Sequence, residues 1–263
     1  GIPYPEKEMT WEELLPILKK LTLDENGNSA DSPSFNPEKI VQWGIMANPS
    51  GLGDSLLEPQ LQSNGATLSD ENGKITLDTP EAREVLQFFK DLIVTHHVST
   101  SSGTIAALGG IDILAFSSGK VAMSFGGSWN ATDYNAAKIN FGTMLPPKFK
   151  EVKSVAQPAG YAMSPYTKHE QEAWTLLSWL IGPEGQSEMA KMNDGIPASK
   201  IAQQVYLKDG DPNKQIFIEA ARYQISAPWY DGKTRLIWEI LPQKMPGLVE
   251  GTSDFDQTIR EIA

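Results

Sequence analysis

The chain has 263 residues, 40% of them hydrophobic, which suits one large domain or two small ones with a sizeable core. Its 22 basic against 33 acidic residues leave a net charge of -11, which argues against nucleic acid or an anionic membrane surface as partner. There is no cysteine, so disulfides, thiolate nucleophiles and Cys-ligated metals are excluded, and no apolar run approaches the roughly 18 residues of a membrane-spanning helix.

The chain begins with Gly1 rather than Met and runs straight into a helix, which predicts a fragment or a processed product. Thr10 and Glu13 form a capping-box pair, and Trp11, Leu14, Leu15, Leu18 and Leu21 then share one helical face. Residues 23–37 are polar and turn-rich. Asp24, Asn26 and Asn28 have some calcium-loop character, but Gly27 is out of place and no glutamate closes the loop, so a plain surface loop is expected. Residues 40–46 read as a strand, 48–55 as a loop and 56–61 as a helix stopped at Asn64-Gly65. Thr79-Pro80 opens a long helix with a buried stripe at Ala82, Val85, Leu86, Phe89, Leu92 and Ile93. It ends at His96-His97, which do not share a helix face, and His169 stands alone, so no metal site is expected.

Residues 116–129, FSSGKVAMSFGGSW, read as a helix end closed at Gly119, a short buried strand and a second glycine break at Gly126-Gly127. Ser128 is then a candidate N-cap, and Trp129 stands at the strand's carboxyl end, where open α/β sheets bind ligands. Further strands are expected at 139–142 and 159–164. Helices follow at 172–181, from 183 to about 193, near Gln203, and at 214–221, 235–241 and 255–262. Helices outnumber strands, but the alternation is α/β.

Motifs for nucleophilic, phosphate-binding and zinc chemistry (GxSxG, GxGxxG, the P-loop and HExxH) are absent, so the chain is read as one that binds rather than catalyses, with no cofactor. Trp129, Tyr161, Trp229, Tyr230 and Trp238 each sit beside a Gly, a Pro or a turn, or on a short late helix. For any one of them core packing stays open. As a set they suit a carbohydrate platform, because sugar rings offer CH faces to aromatics. Ser128, Asn130 and Asp54 are candidate polar partners, and Gly127, Gly160 and Ser55 complete the candidate ligand-binding set.

The order of motifs resembles the extracellular solute-binding proteins of ABC sugar importers, the family that includes the maltose-binding protein. The resemblance rests on the PxTWEEL-like opening, on SNGATLSDENGKITLDTPEAREVLQFFKDLI at 63–93 and on FSSGKVAMSFGGSW. It continues through AGYAMSPYTKHEQEAWTLLSWLIGPEGQ, GIPAS and the closing GTxxxFDxTIRxI, and so covers essentially the whole chain.

This resemblance implies a periplasmic-binding-protein-like (type II) α/β fold, helix-rich, whose two lobes are hinged over a sugar. It implies that an amino-terminal lobe of roughly 100–150 residues is missing here. Residues 1–158 are then expected to form the carboxyl-terminal lobe, 159–198 the segment that normally crosses back to the other lobe, and 199–263 the closing helices. An apolar, exposed face is expected along 159–181. Trp129 matches the family's sugar-stacking tryptophan, and Trp238 a second stacking aromatic of the maltose-binding branch. Gly53-Asp54-Ser55 lies where that branch contacts ligand, with Gly and Asp replacing its Glu and Tyr. The implied function is capture of a sugar or oligosaccharide and delivery to ABC permease subunits. The implied protein is an extracellular or periplasmic lipoprotein, membrane-anchored and monomeric when full length. A glycoside hydrolase and a non-catalytic interaction module are the alternatives.

Overall fold

A computed structural model describes residues 2–51, 53–110, 112–192, 195–226 and 234–262. Among them, α-helices run over Trp11–Leu21 (α1), Glu58–Asn64 (α2), Pro80–Val94 (α3), Ser102–Ala107 (α4), Asp112–Ser117 (α5) and Ser128–Ala136 (α6). They continue with Glu170–Ile181 (α7), Pro183–Lys191 (α8), Lys200–Tyr206 (α9), Pro212–Ala220 (α10), Leu241–Val249 (α11) and Phe255–Ile262 (α12). Strands are short: Leu23–Asp24 (β1) pairs antiparallel with Ile40–Gln42 (β2), and Ser154–Ala156 (β3) pairs parallel with Gln224–Ser226 (β4). The chain divides into two compact units. One comprises Gly1–Gly126, Met144–Ala156 and Tyr223–Ala263, and the other Gly127–Thr143 and Gln157–Arg222. The segment 159–198 thus falls in the second unit, together with 127–143 and the helices α9 and α10.

The first unit holds the main core. The capping box of α1 forms as its sequence predicts: the Glu13 N–H donates to Thr10 Oγ1 at 3.1 Å, and the Thr10 N–H donates to Glu13 Oε2 at 2.8 Å. Trp11, Leu14 and Leu18 of α1 are buried against Leu61 of α2, the Val85–Leu86–Phe89 stripe of α3 and Met245 and Leu248 of α11. The Trp11 ring lies 5.2 Å from that of Phe88 and 5.8 Å, edge-on, from that of Phe89, the geometry aromatic quadrupoles favour. Ile259 and Ile262 of α12 close the same core. Arg83 on α3 reaches Asp256 on α12 at 2.6 Å.

The expected strand at 121–125 exists only as separate parallel bridges, Trp43 with Val121 and Met46 with Ser124, while Ile45 bridges Ser99 on the other side. The Met46 N–H donates to the Met123 carbonyl at 2.8 Å, and the Ile45 N–H to Val98 at 3.0 Å. Gly44 interrupts the ladder. Its N–H turns to Thr22 Oγ1 at 2.9 Å, and a Cβ there would collide with the Leu18 carbonyl of α1. A parallel core sheet is therefore present in direction and order, but broken where a helix presses on it. Strands at 139–142 and 159–164 do not form. The second of these is exposed, and the pairing falls instead to β3 and β4.

The second unit is built from α6 to α10, with Ala190 of α8 buried alongside Ala202 and Tyr206 of α9. Burial pushes the Tyr206 hydroxyl up to about 12, with Asp211 and Asp209 adding to the shift. No residue of α7 is buried: Trp174, Leu176, Trp179 and Ile181 are all about half exposed. Apolar exposure on opposite sides of one helix is rare on a soluble surface.

The loop expected at 23–37 is organised by Asp24, 1% exposed. Its Oδ1 accepts from the N–H groups of Asn26 and Asn28, both at 2.9 Å, and its Oδ2 from the Asn36 N–H and Asn28 Nδ2, both at 3.0 Å. Both oxygens are thus used by the protein, which argues for a structural carboxylate rather than a calcium ligand. Burial opposes ionisation of Asp24, and its hydrogen bonds to Asn28, Asn36 and Asn26 outweigh it, holding the carboxyl below its ordinary 3.8. A depressed carboxylate stabilises the fold fully above its unfolded value and loses that contribution as pH falls through the folded one. Asp24→Ala is therefore expected to lower the urea midpoint at neutral pH. The gap to wild type should close as pH drops below about 4, because protonation removes the same contribution from wild type.

Candidate functional site

The sequence-predicted residues fall on both units. In the first, Gly53–Leu57 is a π-helical turn running into α2, and Leu236–Ile240 is a second one running into α11. The Leu241 N–H donates to the Leu236 carbonyl, five residues back. Both turns have a shared cause. Pro59 and Pro242 stand four residues after Ser55 and Trp238, lack an N–H, and in an α-helix would strike the carbonyls at those positions. Widening the turn moves those carbonyls aside. The two π-helical turns pack against each other, so the turn bearing Asp54 and Ser55 adjoins the one bearing Trp238. Leu236 and Ile237 are buried while Trp238 is 58% exposed, so the wider turn anchors its apolar pair and leaves the indole out.

Behind these turns, Asn48 braces the loop. Its Oδ1 accepts the Ser50 N–H at 2.9 Å, and its Nδ2 donates to Glu250 Oε1 at 3.3 Å. The same carboxylate oxygen accepts the Ser102 N–H at 2.6 Å. One acidic side chain at the end of α11 therefore ties together the loop before Gly53 and the start of α4. Sequence reading did not single out Asn48 or Glu250, and neither carries a local motif.

In the second unit the N-cap of α6 is Gly127, not Ser128, which takes the first helical position. The reason is Asn130: its Oδ1 accepts the Gly127 N–H at 3.0 Å, while its own N–H donates to the Gly127 carbonyl at 3.1 Å. An amide three residues on thus takes the capping role that a serine hydroxyl was expected to fill. Asn130 is 7% exposed, and Trp129, beside it, is 52% exposed. The Trp129 indole is therefore not packed into a core of the described residues. Tyr161 is 49% exposed and donates its hydroxyl to Met189 Sδ at 3.2 Å, and Gly160 beside it has open space around its Cα. The structure gathers Gly127, Ser128, Trp129 and Asn130 at one helix start, and Asp54, Ser55 and Trp238 at one pair of turns. The predicted site residues Trp229 and Tyr230 lie outside the described residues. Among the described residues no group of His, Cys, Asp and Glu is placed to hold a metal ion.

Residues 6–215 match the sequence family described as bacterial extracellular solute-binding protein. The chain belongs to that family. The maltodextrin-binding protein MdxE of Bacillus subtilis (strain 168) is 25% identical over 223 residues, covering 80% of this chain and 50% of its own length. The maltose/maltodextrin-binding domain MalE from Bdellovibrio bacteriovorus, solved bound to maltotriose, superposes with a TM-score of 0.75 at 22% identity over 99% of this chain and 66% of its own. UspC of M. tuberculosis superposes with a TM-score of 0.72 at 24% identity over 97% of this chain and 66% of its own. These solute-binding proteins share the type II periplasmic-binding fold with this chain, as the resemblance implied. The chain spans about half the length of the curated relative and about two thirds of the solved ones.

The exposed indoles and the buried one separate on stability. Removing a buried Trp typically costs about 3–5 kcal/mol, and Trp11→Ala is expected to fall in that range. Trp129→Ala and Trp238→Ala should unfold within about 1 kcal/mol of wild type in urea.

Proposed function

We propose that this solute-binding protein captures a sugar or oligosaccharide between two lobes and hands it to the permease subunits of an ABC importer. The observation that carries the reading is that two indoles, Trp129 and Trp238, are half exposed while the backbone that bears each is held in place. Support comes from the family and from a relative that is named for maltodextrin binding. Trp129 stacks on a sugar ring, with Ser128 and Asn130 beside it and Gly160-Tyr161 as a further contact. Trp238, on the turn packed against the one bearing Asp54 and Ser55, is a sugar contact of its own unit, and Trp229 and Tyr230 are sugar contacts by the family resemblance alone. Glycine and aspartate at 53–54 set a sugar preference different from that of the maltose-binding branch. Binding without turnover, and without a cofactor, is the chemistry this requires.

The exposed apolar side chains of α7 are read in the same way. Segment 159–198 belongs with the lobe that this chain does not span, and Trp174, Leu176, Trp179 and Ile181 pack on that lobe in the complete protein. The complete protein acts outside the cytoplasm as a membrane-anchored lipoprotein and as a monomer. Ligand binding selects the closed arrangement of two lobes, and so affinity draws on both.

Calorimetry of the complete gene product against maltose, maltotriose, cyclic oligosaccharides and common monosaccharides tests the proposal. One of these sugars should bind at micromolar affinity or better, and Trp129→Ala should weaken that sugar about tenfold or more. Heat from none of them, or release of new reducing ends from an oligosaccharide, would replace the receptor reading.

A further inference from the structure

Gly127 and Asn130 entered as ligand contacts, but their geometry gives them another task. A Cβ built on Gly127 falls 2.5 Å from Cε3 of Trp129 and closer still to Cζ3 and Cη2. The benzo ring of the indole therefore lies directly on the Gly127 backbone, in space that any side chain would occupy. Gly127 itself has φ -106° and ψ -179°, extended backbone open to every residue. Its requirement for glycine thus comes from the indole and not from its own conformation. The same residue is held on both sides by Asn130, whose Oδ1 accepts the Gly127 N–H at 3.0 Å and whose N–H donates to the Gly127 carbonyl at 3.1 Å. Asn130 is 7% exposed, so little of it is open to solvent.

We infer that Gly127 and Asn130 are positioning residues for Trp129. Asn130 fixes the Gly127 backbone, the bare Cα of Gly127 seats one part of the indole, and the 52% of Trp129 left exposed is aimed as a rigid platform. A two-torsion side chain held at its base loses little further freedom when a ligand stacks on it. The inference rests on the sugar-receptor reading only for what the platform binds, and not for how it is held.

The test uses the complete gene product labelled with 5-fluorotryptophan, in which Trp129→Phe identifies the Trp129 fluorine resonance. Gly127→Ala should move that resonance outside its wild-type linewidth, leave the other tryptophan resonances in place and keep the melting temperature near wild type. Asn130→Leu should move the same resonance, and Asn130→Asp, which keeps the acceptor, should restore it. With maltotriose as probe, Gly127→Ala should weaken binding about tenfold, and should have no further effect in a Trp129→Ala background. An unmoved Trp129 resonance in both Gly127→Ala and Asn130→Leu would overturn the inference, as would full additivity of Gly127→Ala and Trp129→Ala. A resonance moved in both variants, with no maltotriose bound by wild type, would uphold the positioning and count against this choice of sugar alone.

Discussion

Helix α2 is buried along nearly its whole length, yet Glu58, Gln60, Gln62, Ser63 and Asn64 are polar, and the first unit depends on how they are satisfied. Gln60 Oε1 accepts the indole N–H of Trp11 at 2.7 Å, joining α1 to α2 inside the core. Glu58 Oε2 accepts the Leu68 N–H at 2.9 Å, and its Oε1 accepts Gln62 Nε2 at 2.8 Å. Ser63 donates its hydroxyl to the Glu151 carbonyl at 2.6 Å and accepts the Phe149 N–H at 2.9 Å. Asn64 Nδ2 reaches the Glu81 carbonyl at 2.9 Å and Glu84 Oε2 at 2.8 Å on α3. Each of these groups left unpaired at such depth costs about 1–3 kcal/mol, more for the carboxylate, so the helix is held in one place by what it would lose elsewhere.

That fixed helix is what the first candidate turn runs into. The π-helical turn Gly53–Leu57 joins α2 without a break, so the position of Ser55 follows from the anchoring of Glu58 and Gln60. Its companion turn, Leu236–Ile240, is anchored through Leu236, Ile237 and Leu241 in the same hydrophobic core. The indole of Trp238 is thus carried on a rigid base although it is itself exposed. Trp129 in the second unit reaches a similar end by another route, a glycine seat and an asparagine clamp.

Where a signal is local, the sequence is legible. The capping box at Thr10, the αL glycine at Gly119, the α3 stripe and the start of α3 after Thr79 all form as their residues predict. Trp129 stands out because glycines and a turn mark it, and Trp238 only because a short late helix carries it and the resemblance matches it to a stacking aromatic. What escaped was non-local. The sheet through 121–125 is cut short by the contact between Gly44 and α1, which no window of sequence reveals. The hydrophilic EPQLQSN reads as surface, and only the tertiary partners of its side chains explain its burial. Ser128 looked like the cap because serines often are, while Asn130 outcompeted it from three residues beyond Gly127. The prolines at 59 and 242 were visible, and their spacing of four from Ser55 and Trp238 was the available sign of widened turns.

The central claim is that the exposed indole of Trp129 offers an aromatic face to a carbohydrate. A crystal structure of the complete gene product grown with maltotriose, or with whichever sugar binds best, tests it most directly. The account predicts a sugar ring stacked on the Trp129 indole, with Ser128 at hydrogen-bonding distance from its hydroxyls. A sugar bound elsewhere on the protein, with the Trp129 indole still open to solvent, would contradict it.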